Sequence, residues 1–197
     1  MTSLEEKRSL RSKMRKLRRD LDSGLRAQRT VQLAEVAGTA LGLAASQRIA
    51  CYLPNDGEMD LTVLIERLWK LGLETYLPVL HRSKLRFLPY QRTTRLVDNH
   101  FGIPEPEANT DQRCPPSRLH TVLMPLVAFD SHGNRLGMGG GYYDQTFAFK
   151  KRPQVSTKPR LIGVAHEFQR VAELPNNDWD VPLDGILTER QLRMFSD

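Results

Sequence analysis

No stretch of this chain approaches the roughly twenty consecutive apolar residues a membrane-spanning helix needs, so no partition into a bilayer is expected. The basic N-terminus has no apolar run of the secretory type, and a cytoplasmic location is the expectation. There are only two cysteines, Cys51 and Cys114, too few for a disulfide framework or a zinc site. Cys51 lies in the apolar run RIACYL and reads as a small buried hydrophobe, whereas Cys114 precedes Pro115 and Pro116 in an unremarkable loop. Histidine carries little: His132 sits in a turn beside Gly133 and Asn134, and His81, His100, His120 and His166 lack metal-ligand spacing. No internal repeat occurs, and no low-complexity segment occurs outside the basic arm.

What remains is ordinary for one sizeable domain: 197 residues, 40% hydrophobic and 26% charged. The net charge of +6 is unevenly placed. Residues 1–30 hold ten Lys or Arg against four Asp or Glu, and residues 31–197 hold nineteen of each. A neutral body argues against a nucleic-acid surface spread over the fold. The alternative of a nucleic-acid-associated protein rests on the eight Lys or Arg between Lys7 and Arg19. However, Leu10, Met14, Leu17 and Leu21 recur there at helical spacing, so that helix is expected to dock on the body through them.

Glu5 and Glu6 suit the first turn of this helix, a break is expected at Asp22–Gly24, and a second helix spans roughly 26–43. RIACYLP (48–54) reads as a buried strand and NDGEMD as a turn. Asp60 is placed to cap a helix whose inner side is Leu61, Leu64, Ile65, Leu68 and Leu71, ended by Gly72. Further strands are expected at 74–80, 84–90, 120–130, 159–168 and 183–190, the last of the chain, with a long Pro-rich connection over 102–118. The alternation implies an α/β fold: a single domain with a largely parallel central sheet flanked by helices, the N-terminal helical segment 1–45 packed on the α/β body.

The stretch that carries chemistry is HGNRLGMGGGYYDQTF (132–147), with four glycines in the five positions 137–141. Glycine lets backbone N–H groups approach an anion without Cβ atoms in the way, and a following helix adds free N–H donors. Gly137, Gly139, Gly140 and Gly141 would form this cradle, with Arg135 as a fork-shaped cationic donor. There is no G-K-[ST] ending and no Rossmann spacing. A tight turn alone would explain one or two of the glycines. Asp144 would repel an anionic ligand unless a cation sits between them, which suggests Mg²⁺ shared with a nucleotide; it also suits the helix dipole as a first-turn acid. Tyr142 and Tyr143 would stack on a flat heterocycle or pack in the core, and spacing does not choose between these.

NRLGMGGGYYD closely resembles the signature of the 5-formyltetrahydrofolate cyclo-ligase family, also called methenyltetrahydrofolate synthetases. KRSLR (7–11), YLPNDGEMD with Leu53 and Glu58, and ELPNNDWDVPLDGILTE with Asp180 and Asp184 agree in order, so the resemblance spans residues 7–189. It implies an ATP-driven, Mg²⁺-dependent conversion of 5-formyltetrahydrofolate to 5,10-methenyltetrahydrofolate, with release of ADP and phosphate through a phosphorylated formyl (imidate phosphate) intermediate. It implies ATP contacts from Lys7, Arg11, Arg135, Gly137, Gly139, Gly140, Gly141, Tyr142 and Tyr143. Folate contacts would come from Leu53, Glu58, Met138, Gly139, Gly140, Gly141 and Tyr142. Arg135, Tyr142 and Tyr143 would be catalytic, with Asp144 and Asp180 at the metal. Met138 and Gly140 stand where many members carry a basic or other polar residue, which bears on nucleotide affinity rather than on reaction type. The family's fold is of the sugar-phosphate isomerase/CoA transferase type, and an isomerase-like enzyme needing neither ATP nor Mg²⁺ is the other alternative. The expected partners are small-molecule substrates, with no nucleic acid and no membrane, and the expected state is a monomer.

Overall fold

The computed structural model describes residues 3–107, 112–152 and 159–195. Its centre is a seven-stranded sheet built from β1 (Arg48–Ala50), β2 (Glu74–His81), β3 (Lys84–Pro89), β6 (Thr121–Pro125), β9 (Arg160–Val164), β10 (Gly185–Leu187) and β11 (Leu192–Met194). The order is β11-β10-β9-β6-β1-β2-β3, with β10, β9, β6, β1 and β2 parallel and the two edge strands antiparallel. The largely parallel sheet expected from the strand–helix alternation is therefore present.

Both faces are covered, and the strands show it by strict alternation. Ile49, Leu123, Ile162 and Leu187 face a layer formed by α2 (Ser23–Ala40) and α3 (Thr62–Lys70), through Leu33, Ala37, Leu64 and Leu68. Ala50, Val122, Met124, Leu161 and Ile186 face the opposite layer, with Phe87, Phe147, Val181 and Leu183. Asp22 caps α2 by accepting from the amides of Gly24 (2.8 Å) and Leu25 (3.1 Å). Asp60 accepts from the amide (2.8 Å) and hydroxyl (2.6 Å) of Thr62 at the start of α3.

Several expectations need correction. The first strand is three residues long, not seven, because the chain leaves the sheet at Cys51 to build a loop. Leu71 is exposed, since α3 ends at Lys70 before that position can turn inward. The 120–130 stretch is two strands: β6 stops at Pro125, and Ala128–Phe129 (β7) pairs with Arg135–Leu136 (β8) as a hairpin. Within the Pro-rich connection, Pro104–Pro106 (β5) pairs with Leu96–Asp98 (β4), and residues 108–111 lie outside the described residues. Cys114 is not an idle loop residue: it is buried, and its amide donates to Phe87 O (2.8 Å). Cys51 is buried as expected, and burial pushes its thiol up to about 12. Residues 183–190 do not form the last strand, because β11 follows and closes the edge.

The N-terminal helix α1 (Ser3–Arg19) docks as expected but by a different face. Leu10 and Met14 pack on Val127, Ala128 and Leu136 of the β7–β8 hairpin, while Leu17 is 43% exposed. The position that turns inward in the last turn is Arg18, four residues after Met14. Among the described residues no helix is long and apolar enough to cross a membrane.

Candidate active site

In an open parallel sheet, ligands bind beyond the carboxyl ends of the strands where the chain order reverses direction across the sheet. Here that point lies between β1 and β6, since the chain proceeds from β1 to β2 on one side and returns to β6 on the other. The loop after β1 (51–61) carries Leu53 and Glu58, and the chain after β6 runs through the hairpin into the glycine loop. The topology thus brings the two sequence-predicted segments to one crevice.

A buried carboxylate builds the hairpin. Asp130 accepts from the amides of His132 (2.9 Å) and Asn134 (3.0 Å), from the Asn134 side chain (2.8 Å) and from the Leu174 amide (3.0 Å). Asp130 is not among the expected site residues, although Asp130-Ser-His-Gly-Asn134 is a local turn signal. The hairpin aims β8 so that Arg135 sits where it donates to Val181 O and to Asp144 Oδ1, the latter at 2.5 Å. Asp144 Oδ1 also accepts from the Val181 amide (3.0 Å). Arg135 is nearly buried, so this arrangement fixes its guanidinium at the base of the loop.

The glycine loop is more constrained by the protein itself than the sequence implied. Gly139 and Gly141 have positive φ (108° and 66°), and a methyl on Gly140 would lie 2.6 Å from the Tyr142 ring. Gly137 is different: its φ is not positive, and among the described residues no atom beyond its chain neighbours lies within 4 Å of where its Cβ would be. Nothing in the chain's own packing demands glycine there. The helix that follows, α4 (Tyr142–Phe147), is only six residues long and passes into a 3₁₀ turn, so its dipole contributes less than the expected longer helix would.

Arg11 of α1 reaches this loop across 126 residues of sequence, its Nε donating to Gly137 O (2.8 Å), with its guanidinium 3.9 Å from the Cβ position of Gly139. Lys7 lies one turn earlier on the same helix, half-buried and without an ion-pair partner among the described residues. Four other basic residues of the arm are used elsewhere. Arg15, Arg18 and Arg19 converge on Asp56 at 2.6, 3.1 and 3.1 Å, and Lys16 pairs with Asp20.

Asp180 stands next to Val181, the residue that Asp144 and Arg135 grip, and Asn177 donates to its Oδ2 through its amide (2.9 Å) and its side chain (3.2 Å). Trp179 beside it is 68% exposed, and Met138 in the glycine loop is 50% exposed. Asp184, the other acid of that stretch, serves the fold instead: it accepts from Lys150 (2.8 Å) and the Leu161 amide (2.6 Å). Among the described residues no group of three or more His, Cys, Asp or Glu is placed to hold a metal alone. Asp144 Oδ2 makes no hydrogen bond among the described residues, which fits a ligand to a cation shared with a phosphate, since Mg²⁺ takes one or two carboxylates plus phosphate oxygens and water.

On the other wall, Glu58 folds its turn closed. Its amide donates to Asn55 O (3.0 Å), and its Oε2 accepts from the Asn55 amide (3.1 Å). Burial raises its carboxyl to about 7, with Arg18 pulling it back down. Burial and the Glu58 charge push the Tyr143 phenol up, while Arg135 lowers it, so Tyr143 lies within electrostatic reach of both walls. His166, behind the turn, is fully buried against Phe168, and its Nε2 lies 3.4 Å from Gly57 O. Burial and the nearby Arg29 lower it to about 4.

These two groups act on stability with opposite sign. Glu58, raised on folding, stabilises below its ordinary value of 4.5, and that contribution is lost as pH rises through about 7. His166, lowered on folding, stabilises above its ordinary 6.5, and that contribution is lost as pH falls toward about 4. The two slopes oppose each other in the window they share. Glu58→Gln removes one of them, so its urea midpoint is expected to fall on acidification between pH 6.5 and 4.5, while the wild-type midpoint stays flatter. Parallel midpoint-versus-pH curves for the two proteins would show the opposition to be absent.

Comparison with known proteins finds similarity along nearly the whole chain. The model of the 5-formyltetrahydrofolate cyclo-ligase family matches residues 3–189. The chain is 44% identical over 143 residues to the 5-formyltetrahydrofolate cyclo-ligase of Escherichia coli K12, covering 71% of this chain and 76% of that protein. It is 38% identical over 186 residues to the enzyme of that name from Haemophilus influenzae, covering 93% and 97%. The NMR structure of Aquifex aeolicus 5,10-methenyltetrahydrofolate synthetase superposes with a TM-score of 0.79 at 30% identity, covering 97% of this chain and 93% of the other.

Proposed function

This chain belongs to the 5-formyltetrahydrofolate cyclo-ligase family, and on that premise we propose that it converts 5-formyltetrahydrofolate to 5,10-methenyltetrahydrofolate at the expense of ATP, releasing ADP and phosphate. The observation that carries the reading is the Arg11–Gly137 contact, which brings the basic helix onto the glycine loop that Arg135 and Asp144 flank in the chain. A phosphate chain seated between helix and loop would meet cations from α1 and backbone N–H groups from 137–141. The folate, held by Leu53 and Glu58 on the opposite wall and by Met138 and Tyr142 from the loop, would present its formyl oxygen to the γ-phosphate.

The chemistry follows from what an amide-like oxygen cannot do, which is leave. Attack of the formyl oxygen on the γ-phosphorus breaks the bond to ADP and makes an imidate phosphate. The neighbouring folate nitrogen then adds to the formyl carbon, and inorganic phosphate departs with the former formyl oxygen. Arg135, locked by Val181 and Asp144, would stabilise charge on the transferred phosphoryl group, with Tyr142 and Tyr143 beside the formyl group. Asp144 and Asp180 would hold Mg²⁺, which when bound neutralises phosphate charge. Glu58 would accept bonds from the donor edge of the pterin.

The direct test is absorbance of methenyltetrahydrofolate formed from 5-formyltetrahydrofolate, with and without ATP and Mg²⁺. Absence of product from folded protein under every condition would overturn the reading. Gly137 offers a sharper one. Gly137→Ala meets no protein atom and needs no positive φ, so its melting temperature is expected to hold or rise slightly, as the unfolded chain loses freedom. The KM for ATP is expected to rise by about tenfold or more, because the methyl enters the space a phosphate would occupy. An unchanged KM would remove Gly137 from the nucleotide site.

A further inference from the structure

The last turn of α1 buries Arg18 completely (0% exposed). A buried guanidinium is unfavourable unless its donors are used. Two donors are used: NH1 to Leu126 O (3.2 Å) and NH2 to Asp56 Oδ2 (3.1 Å). Its Nε has no partner among the described residues, and its NH1 lies 3.9 Å from Glu58 Oε1. Leu126 follows β6 and Glu58 lies in the loop after β1, so this one side chain spans both walls of the crevice. The approach is close enough that a methyl on Gly57 would fall 2.8 Å from the Arg18 backbone.

We propose that Arg18 is the positioning residue that aims the Glu58 carboxylate, so that α1 ties the folate-facing turn to the helix carrying Lys7 and Arg11. The inference rests on the reading of Glu58 as a substrate contact. Among the described residues Asp56 is already shared by three arginines, whereas Glu58 Oε1 faces a single cation, Arg18. The other groups bearing on Glu58 are Asp56, Tyr52 and Tyr143; both phenols are pushed up and stay neutral at physiological pH. Removing Arg18 therefore leaves desolvation and the Asp56 charge, both of which disfavour the ionised form of Glu58, opposed by the Asn55 amide bond.

The test is steady-state kinetics for both substrates across pH on Arg18→Met and Arg18→Lys, with melting curves and amide exchange on each. Arg18→Met is expected to raise the KM for the folate about tenfold or more, leave the KM for ATP within about twofold, and move the pH midpoint of folate kcat/KM upward. Arg18→Lys keeps the charge but not the planar fork, so its midpoint should move in the same direction by a smaller amount. A merely structural role would lower the melting temperature and leave the midpoint unmoved, and that result in folded Arg18→Met overturns the proposal. If Arg18→Met does not fold, exchange of the Asn55 amide, which donates to Glu58, decides it in Arg18→Lys: about tenfold faster than wild type supports positioning, and no change overturns it. A wild-type enzyme without turnover would sink the proposed function instead, and the Asn55 amide would still report on Arg18.

Discussion

Asp144→Asn is expected to lower kcat by about two to three orders of magnitude while the protein still folds. The substitution is nearly isosteric. Asparagine Oδ1 can go on accepting from Val181 N and Arg135, the two bonds Asp144 Oδ1 now makes. What disappears is the negative charge and the second oxygen, which makes no hydrogen bond among the described residues. Stability should therefore fall by only about 1–2 kcal/mol, the difference between a charge-assisted and a neutral bond to a partly buried arginine. If Asp144 were simply an anchor for Arg135, turnover would survive, because the anchor survives. If it holds a cation against the phosphates, turnover collapses, and raising Mg²⁺ should recover part of it. Turnover near wild type at ordinary Mg²⁺ would remove Asp144 from the metal site.

Arg135→Lys tests the same cluster from the cationic side. Arg135 uses two nitrogens of one planar fork to hold Val181 O and Asp144 at once. A lysine keeps the charge but presents a single point donor on a flexible stem, so one of these bonds goes and the orientation of the other loosens. With the arginine side chain only 7% exposed, the lost bond is expected to cost about 1.5–3 kcal/mol of stability. The larger effect is on rate: kcat should fall by about 100-fold or more, with the KM for ATP changed only a few-fold, if the guanidinium acts mainly on charge that develops in the transition state. Single-turnover kinetics with a melting curve checks this. A kcat within about threefold of wild type would reduce Arg135 to a structural clamp.

The cluster also shows where sequence reading reaches and where it stops. Asp144, Arg135 and the glycines are legible because they are adjacent in the chain, and their chemistry depends on that adjacency. Gly139, Gly140 and Gly141 looked like ligand-binding positions, yet each has a reason inside the fold, two by backbone conformation and one by the Tyr142 ring. Leu17 and Arg18 exchanged places: a hydrophobic pattern predicts that leucine turns inward, but a carbonyl and two carboxylates brought up by distant loops made the arginine the better fit. No local rule predicts a buried arginine, because its partners lie 38 to 108 residues away.

By itself, the sequence determined the α/β class, the parallel strands and the family, because alternation and short motifs are local properties of a chain. Only the tertiary structure decided that Arg11 meets Gly137, that Asp144 meets the Val181 amide, and that Arg18 stands between the two walls. These are contacts across long sequence separations. They exist because parallel strands place successive loops on one edge of a sheet, and because α1 buries Leu10 and Met14 against the hairpin that carries the glycine loop.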